Sequence, residues 1–77
     1  MTGTEKRLIE LAAERFSADA NLLSPGQDFF EALGIKSIQA LDLLTDLEDE
    51  FDIEIPDYEM QGVTTFAALA ALIDKRA

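Results

Sequence analysis

The apolar residues between positions 37 and 51 recur at helical spacing, and this periodicity constrains the fold more than any other feature of the sequence. Advancing about 100° per residue places six of them on one broad arc, namely Ala40, Leu41, Leu43, Leu44, Leu47 and Phe51. The opposite side carries five polar residues and one isoleucine, namely Ile38, Gln39, Asp42, Thr45, Asp46 and Asp49. The pattern predicts an amphipathic helix that buries its apolar face and leaves Ile38 in water among the acids.

Two further helices are predicted at the ends of the chain. The first begins at Thr2, which has capping-box spacing to Glu5, and runs to about Phe16. Its residues expected in the core are Leu8, Leu11, Ala12 and Phe16. The last helix is capped by Thr64 or Thr65 and is expected to bury Phe66, Leu69, Ala70 and Ile73. Lys75 and Arg76 complement the negative end of its dipole.

The connections between these helices contain turn signals and apolar anchors. Residues 17–36 form a long link with a turn at Ser24-Pro25-Gly26 and one helical turn that Asp28 caps and Gly34 ends. The expected anchors of this link are Leu22, Leu23, Phe29 and Phe30. After the central helix, an extended Ile53–Ile55 stretch precedes a short third helix over residues 58–61, capped by Asp57. The sequence therefore predicts an all-α fold, a small four-helix bundle with a long first loop and a short third helix, as one domain over residues 1–77.

Composition excludes most catalytic constellations. The chain has no cysteine, so disulfides and thiolate metal sites are absent, and it has no histidine to act as a base or a metal ligand. Ser37 therefore has no imidazole to activate it, and the adjacent Lys36, expected in water, is a poor general base. We do not expect an enzyme.

The charge is concentrated in one part of the chain. The net charge is −10, and residues 37–73 hold nine acids and no base. Such a surface repels nucleic acids and anionic membranes and attracts proteins with basic surfaces. No signal-peptide pattern or membrane-spanning run is visible, so we expect a monomeric, cytoplasmic protein.

Ser37 allows two interpretations from local spacing alone. Serine is among the best N-cap residues, because its oxygen accepts a backbone N–H from the first helical turn. The glycine three residues earlier fits a structural loop equally well. Alternatively, a hydroxyl at the head of an acidic helix, next to the exposed Ile38, suggests a contact or modification site.

The stretch from Leu33 to Asp57 resembles the central segment of acyl carrier proteins and peptidyl carrier domains. The family pattern reads Leu-Gly-x-Asp-Ser-Leu, then a helix with Leu-Glu-x-x-Phe, then Ile-x-Ile-Pro-Asp. The positions that match in register are Leu33, Gly34, Ser37, Leu43, Leu47, Glu48, Phe51, Ile53, Ile55, Pro56 and Asp57. With weaker likeness on both sides, the resemblance covers roughly residues 8 to 74.

The resemblance implies a role for Ser37 and a class of partners. Ser37 would carry 4′-phosphopantetheine, attached by a separate phosphopantetheinyl transferase, and the thiol of that group would hold an acyl or aminoacyl cargo as a thioester. A phosphodiester suits a helix N-terminus, where N–H groups are unpaired and the dipole is positive. The other partners would be loading ligases, transferases or synthases of a specialised fatty acid, polyketide or related pathway. Residues expected to contact partners are Lys36, Ile38, Asp42, Thr45, Glu48 and Asp49.

Three positions depart from the family pattern. Lys36 stands where the family usually has aspartate, Ile38 replaces leucine, and Gln39 and Thr45 occupy outward positions that are often acidic or methionine. The reversed charge at Lys36 affects recognition of Ser37, so the alternative is an unmodified acidic interaction module with the carrier fold. Lys36 could instead screen the phosphodiester, a contact worth little at an exposed site.

Two further hypotheses concern ligands. By the resemblance, an acyl chain could enter a space between helices lined by Leu33, Leu47, Phe51, Ile55 and Met60, although ordinary packing explains each of these residues equally well. The acids between positions 46 and 57 have a spacing similar to a calcium loop, but Phe51 occupies the place where that loop needs glycine. A dedicated calcium site is therefore not expected.

Overall fold

Helix α1, Gly3–Phe16, begins at the capping box that the sequence predicts. In the computed structural model, which describes all 77 residues, Thr2 Oγ1 accepts a hydrogen bond from Glu5 N at 3.0 Å. The Thr2 N–H donates in return to Glu5 Oε1 at 2.7 Å. The two bonds satisfy backbone donors that the first helical turn cannot pair internally.

Three more α-helices follow, joined by two short 3₁₀ segments. They are α2, Phe29–Leu33; α3, Ser37–Phe51; and α4, Phe66–Arg76. The 3₁₀ segments span Ala20–Leu22 and Asp57–Met60. No β-strand forms, so the predicted all-α fold is confirmed.

The predicted short third helix is the 3₁₀ segment Asp57–Met60, which follows the extended Pro56. The Asp57 side chain does not cap this segment, so the capping role predicted for Asp57 is wrong.

The core lies where α1 packs against α3 and α4. Its fully buried large side chains are Leu8, Phe29, Leu43, Leu47, Phe66, Leu69 and Ile73. The stripe predicted for α4 is buried throughout, and Thr65 is its cap, accepting a hydrogen bond from Ala68 N at 3.1 Å. In α1 the prediction is half right. Leu8 and Ala12 are buried, whereas Leu11 and Phe16 lie at the core edge and Ile9 and Ala13 take the inner places.

The long link between α1 and α2 is held to the start of α4 by backbone hydrogen bonds. Phe29 N donates to Thr64 O and Ala67 N donates to Pro25 O, both at 2.8 Å. Leu23 is buried as predicted, but Leu22 is 74% exposed, so its predicted role as an anchor is wrong. Leu22 ends the 3₁₀ turn Ala20–Leu22, which has no buried residue.

Gly34 turns the chain from α2 into α3. Its φ of 66° is left-handed, a conformation that costs an L side chain energy but not glycine. Ile35 N donates to Phe30 O at 3.0 Å, which closes a Schellman motif at the end of α2. The Ile35 side chain is buried, so the chain is anchored two residues before α3 begins.

Arginine–carboxylate pairs connect the long helices on the outside. Arg7 of α1 binds Glu50 of α3, with Arg7 Nη2 3.0 Å from Glu50 Oε1. Arg15 binds Asp46 through two contacts of 2.6 Å. The hydrogen bond from Arg15 lowers the pKa of Asp46, and the bond from Arg7 lowers the pKa of Glu50.

A third ion pair fixes the 3₁₀ segment Asp57–Met60 against the last turn of α4. Arg76 Nε donates to Glu59 Oε2 at 2.9 Å, and Lys75 Nζ lies 3.5 Å from Glu59 Oε1. The hydrogen bond from Arg76 holds the pKa of the Glu59 carboxyl below its ordinary value of 4.5. The basic residues of α4 therefore do more than complement its dipole.

Replacing Gly34 with alanine tests the turn into α3. An alanine Cβ would meet no atom within 4 Å, so the cost comes from the left-handed backbone alone and should be about 1 kcal/mol of the free energy of unfolding. Urea denaturation followed by circular dichroism measures it. Gly3→Ala, inside α1 and equally free of contacts, is the control and should be neutral or slightly stabilising. Equal effects of the two substitutions would contradict this explanation.

Glu59→Gln tests the ion pair at the end of α4. Because the pKa of Glu59 is lower in the folded protein, its contribution to stability is complete above the ordinary value of 4.5 and is lost as the pH falls through the folded value. Thermal unfolding should therefore show the variant less stable than the wild type at about pH 7, and this difference should become smaller as the pH falls below 4.5 toward about pH 3. The exposed Glu54 forms no ion pair, and Glu54→Gln should not destabilise the protein at either pH. A constant difference between Glu59→Gln and wild type across this range would disprove the linkage.

Candidate functional site

Ser37 is the first residue of α3 and not its cap. Lys36 takes the N-cap position with an extended backbone, and the Lys36 N–H donates to Gln39 Oε1 at 2.9 Å. The Ser37 side chain is exposed and its hydroxyl makes no hydrogen bond in the protein. The capping interpretation of Ser37 is therefore wrong, because Lys36 occupies the N-cap position and the serine oxygen is left free.

The backbone next to the Ser37 hydroxyl offers unpaired donors. The N–H groups of Ser37 and Ile38 have no acceptor within the protein, whereas those of Gln39 and Ala40 donate to Lys36 O at 3.0 and 3.1 Å. Unpaired N–H groups at the start of a 15-residue helix carry its positive partial charge. A phosphate ester on the Ser37 oxygen would fit these donors.

An apolar cavity of about 200 Å³ opens beside Ser37. It lies between α3 and the 3₁₀ segment Asp57–Met60, and six of its eight lining residues are hydrophobic. The lining residues are Phe30, Ser37, Ala40, Leu41, Leu44, Asp57, Met60 and Val63. A flexible apolar group attached at Ser37 could be buried in this cavity, where few polar side chains would lose their contact with water.

The lining predicted from the sequence is wrong at four of five positions. Met60 lines the cavity, but Leu47 is fully buried in the core. Ile55 borders a different depression, whose lining includes four acids. Leu33 and Phe51 pack at the core edge and do not reach the cavity. The cavity lies at the start of α3, because the 3₁₀ segment that contains Asp57 and Met60 lies next to Ser37.

Four of the predicted partner-contacting residues form one exposed stripe along α3. They are Ile38, Asp42, Thr45 and Asp49, and we call them the outer stripe. Spacings of four and three residues place them on a single helix face about 16 Å long. Ile38 is 75% exposed as predicted, and Thr45 Oγ1 donates to Leu41 O at 3.1 Å. Lys36 is exposed just before the stripe begins.

Glu48, also predicted to contact partners, has an internal role. Its side chain is half-buried, and Oε2 accepts a hydrogen bond from Ile55 N at 2.8 Å. This contact holds the extended segment after α3 against the helix and keeps Ile55 buried. Ile53, also predicted to point inward, is half-buried against the core.

Ion pairing divides the acids of residues 37–73 into two groups. Asp46, Glu50 and Glu59 pair with cations of α1 and α4. The six acids without an ion pair are Asp42, Glu48, Asp49, Asp52, Glu54 and Asp57. Asp46, which the periodicity places with Asp42 and Asp49, is therefore not part of the free acidic face. No three acids come together in a group that could hold a metal ion.

The structure also exposes two apolar residues that the sequence does not single out for the site. Leu41, predicted on the buried arc, is 54% exposed and lines the cavity beside Ser37. Tyr58, in the 3₁₀ segment Asp57–Met60, is 69% exposed. Leu41 stands four residues after Ser37, so helical spacing alone could have placed the two side by side. No local sequence pattern indicates that Leu41 is left uncovered by the rest of the fold.

None of the helices combines the length and the apolar character that a membrane crossing requires. The cytoplasmic location expected from the sequence stays a prediction.

A comparison with known protein families finds a match to this chain. Residues 6–73 match the family model described as "Phosphopantetheine attachment site", which covers most of the chain and all of α3. Members of this family are carriers without catalytic activity that hold 4′-phosphopantetheine covalently and work with phosphopantetheinyl transferases and pathway enzymes. The chain belongs to the phosphopantetheine-binding carrier family.

Proposed function

We propose that Ser37 is the attachment point of 4′-phosphopantetheine and that the protein presents an acyl cargo to the enzymes of a biosynthetic pathway. The observation that carries this proposal is the free Ser37 hydroxyl, exposed at the first position of α3 inside the region that matches the family. The other two serines, Ser17 and Ser24, lie at the end of α1 and in the long link. Neither stands at the head of a long helix.

Attachment requires only that the Ser37 oxygen be reachable and that the product be tolerated. The oxygen forms a new P–O bond to the phosphate of coenzyme A, the phosphoanhydride bond breaks, the nucleotide leaves, and the hydroxyl proton passes to a base of the transferase. The unpaired N–H groups of Ser37 and Ile38 face the added negative charge. Once attached, the group supplies a thiol that holds the cargo as a thioester.

The cavity beside Ser37 supports an aliphatic acyl cargo more than an aminoacyl one. Its lining is mostly hydrophobic, and a charged amino group would lose much of its water there with Asp57 as its one charged partner. We infer a fatty acid, polyketide or related pathway. The volume of about 200 Å³ fits a short chain or the first part of a longer one.

The outer stripe is the proposed docking surface for pathway enzymes. Ile38 supplies an apolar contact at the Ser37 end, and Asp42 and Asp49 supply charges that no cation of this chain neutralises. Partners with basic surfaces would be steered toward this face and oriented with their active sites near Ser37. Thr45 belongs to the same stripe, and Lys36 and the half-buried Glu48 border it.

Intact-mass measurement after co-expression with a broad-specificity phosphopantetheinyl transferase tests the attachment site. We expect one phosphopantetheine increment on the wild type and none on Ser37→Ala, because only the Ser37 hydroxyl stands free at the head of α3. Ser24→Ala is the matched control and should be modified like the wild type. An increment that persists in Ser37→Ala would place the attachment at another residue. A wild type that no transferase modifies would favour the unmodified interaction module instead.

Charge reversal on the outer stripe tests the docking surface. Asp42→Lys and Asp49→Lys should each lower the rate of cargo transfer to a cognate enzyme by about tenfold while the helix content stays unchanged, since both side chains are exposed and unpaired. Glu10→Lys, an equally exposed acid on α1, is the control and should have little effect. Transfer kinetics at low ionic strength measure the difference. Equal rates for all three variants would rule out this face as the docking surface.

A further inference from the structure

Lys36 has no role inside the protein that explains its charge. The chain has six lysine and arginine side chains, and four of them form ion pairs, namely Arg7, Arg15, Lys75 and Arg76. Lys6 and Lys36 form none. Of these two, Lys36 is the one that directly precedes Ser37.

The position of Lys36 is electrostatically unfavourable for a cation. Lys36 is the N-cap of α3, where the helix dipole is positive, and the first turn of α3 contains no acid. An ammonium there accepts no N–H, whereas aspartate or asparagine would stabilise the helix. The backbone of Lys36 is nevertheless held firmly, because its N–H donates to Gln39 Oε1 at 2.9 Å and its carbonyl accepts from Gln39 N at 3.0 Å. A free positive charge is therefore kept at a defined point beside Ser37.

The charge of the surface around Ser37 therefore changes from positive to negative over a short distance. Lys36 is positive, Ile38 and Leu41 are exposed and apolar, and Asp42 is negative and unpaired. We call these four residues the split-charge surface. Lys36 forms no ion pair and directly precedes the segment 37–73, which has nine acids and no base of its own.

We propose that the split-charge surface selects the transferase that modifies Ser37, and that this enzyme places a carboxylate opposite Lys36 and a basic side chain opposite Asp42. The proposal rests on attachment at Ser37. The transferase is the partner that fits, because it must bring a reacting phosphate onto the Ser37 oxygen itself and therefore covers the neighbouring residue. Enzymes that act on the cargo meet it at the far end of a long flexible arm, so they need not contact Lys36.

The split-charge surface excludes mismatched transferases as well as attracting the matching one. A transferase with basic residues over both positions would place like charges together at Lys36, and this repulsion lowers its affinity. A transferase with the complementary pair gains two favourable contacts and a fixed orientation. The ammonium thus restricts modification to a matching enzyme at the expense of helix stability.

The experiment separates partner selection from a structural role. Lys36→Asn removes the charge and Lys36→Asp reverses it, and both supply the cap that lysine lacks, so both should raise the melting temperature. Their affinity for the source organism's transferase that modifies the wild type is measured on Ser37→Ala chains by titration calorimetry. We expect a loss of about threefold for Lys36→Asn and about tenfold or more for Lys36→Asp. Lys6→Asp, the other unpaired lysine, should leave the affinity unchanged.

Carbodiimide coupling gives an independent readout, because it joins a lysine amine to a carboxylate in direct contact. Lys36 should become linked to the transferase, and Lys36→Arg should keep the affinity while losing the link. Unchanged affinity in the asparagine and aspartate variants would overturn the proposal. So would a raised KM for coenzyme A with unchanged protein affinity, since Lys36 would then contact the donor and not the enzyme. Failure of every transferase to modify wild-type Ser37 would instead refute the attachment site.

Discussion

The ion pairs between α1 and α3 decide which part of α3 is available to partners. Packing the apolar face of α3 against α1 brings Asp46 and Glu50 next to Arg15 and Arg7, and these acids become part of the structure. Asp42 and Asp49, which lie next to these acids around the helix, form no ion pair. The free charge of α3 is therefore confined to one stripe, and that stripe begins next to Ser37. A docking surface of this kind depends on the arginines of α1 as much as on the acids of α3.

The regular elements of the fold follow from local rules and were predictable. The Thr2 cap and the buried stripe of α4 combine a helical period with a capping residue, and both signals lie within a few residues of each other. The ends of α1 and α3 were also predicted, at Phe16 and Phe51, from the last apolar residue of each stripe. The way these helices end was not predicted, because each is closed by a left-handed residue that is not glycine, Ser17 at φ 55° and Asp52 at φ 53°. A sequence contains no signal for a left-handed serine or aspartate comparable to the glycine at Gly34.

Exposure near the site depends on distant parts of the chain and could not be read locally. Periodicity shows that Leu41 lies at the edge of the apolar face, but whether anything covers it depends on where the segment after α3 returns. The cavity beside Ser37 is completed by Phe30 and Val63, which come from before and after α3. The serine itself was identified by resemblance. Its free hydroxyl could not be predicted, because it depends on whether Lys36 or Ser37 takes the N-cap position, and the structure places the N-cap at Lys36.

Several residues of this chain have conformations or side chains that local rules disfavour, and internal hydrogen bonds compensate only some of them. The left-handed Asp52 donates its N–H to Glu48 O, and the half-buried Glu48 accepts from Ile55 N, so both are balanced by internal hydrogen bonds. The Lys36 ammonium at a positive helix end, the exposed Ile38 side chain and the unbonded Ser37 hydroxyl have no such balance. Three uncompensated features at consecutive positions are expected where function, and not stability, determines the residues. Their concentration at the head of α3 also explains why the remaining acids matter, since a partner guided by the outer stripe arrives at this point.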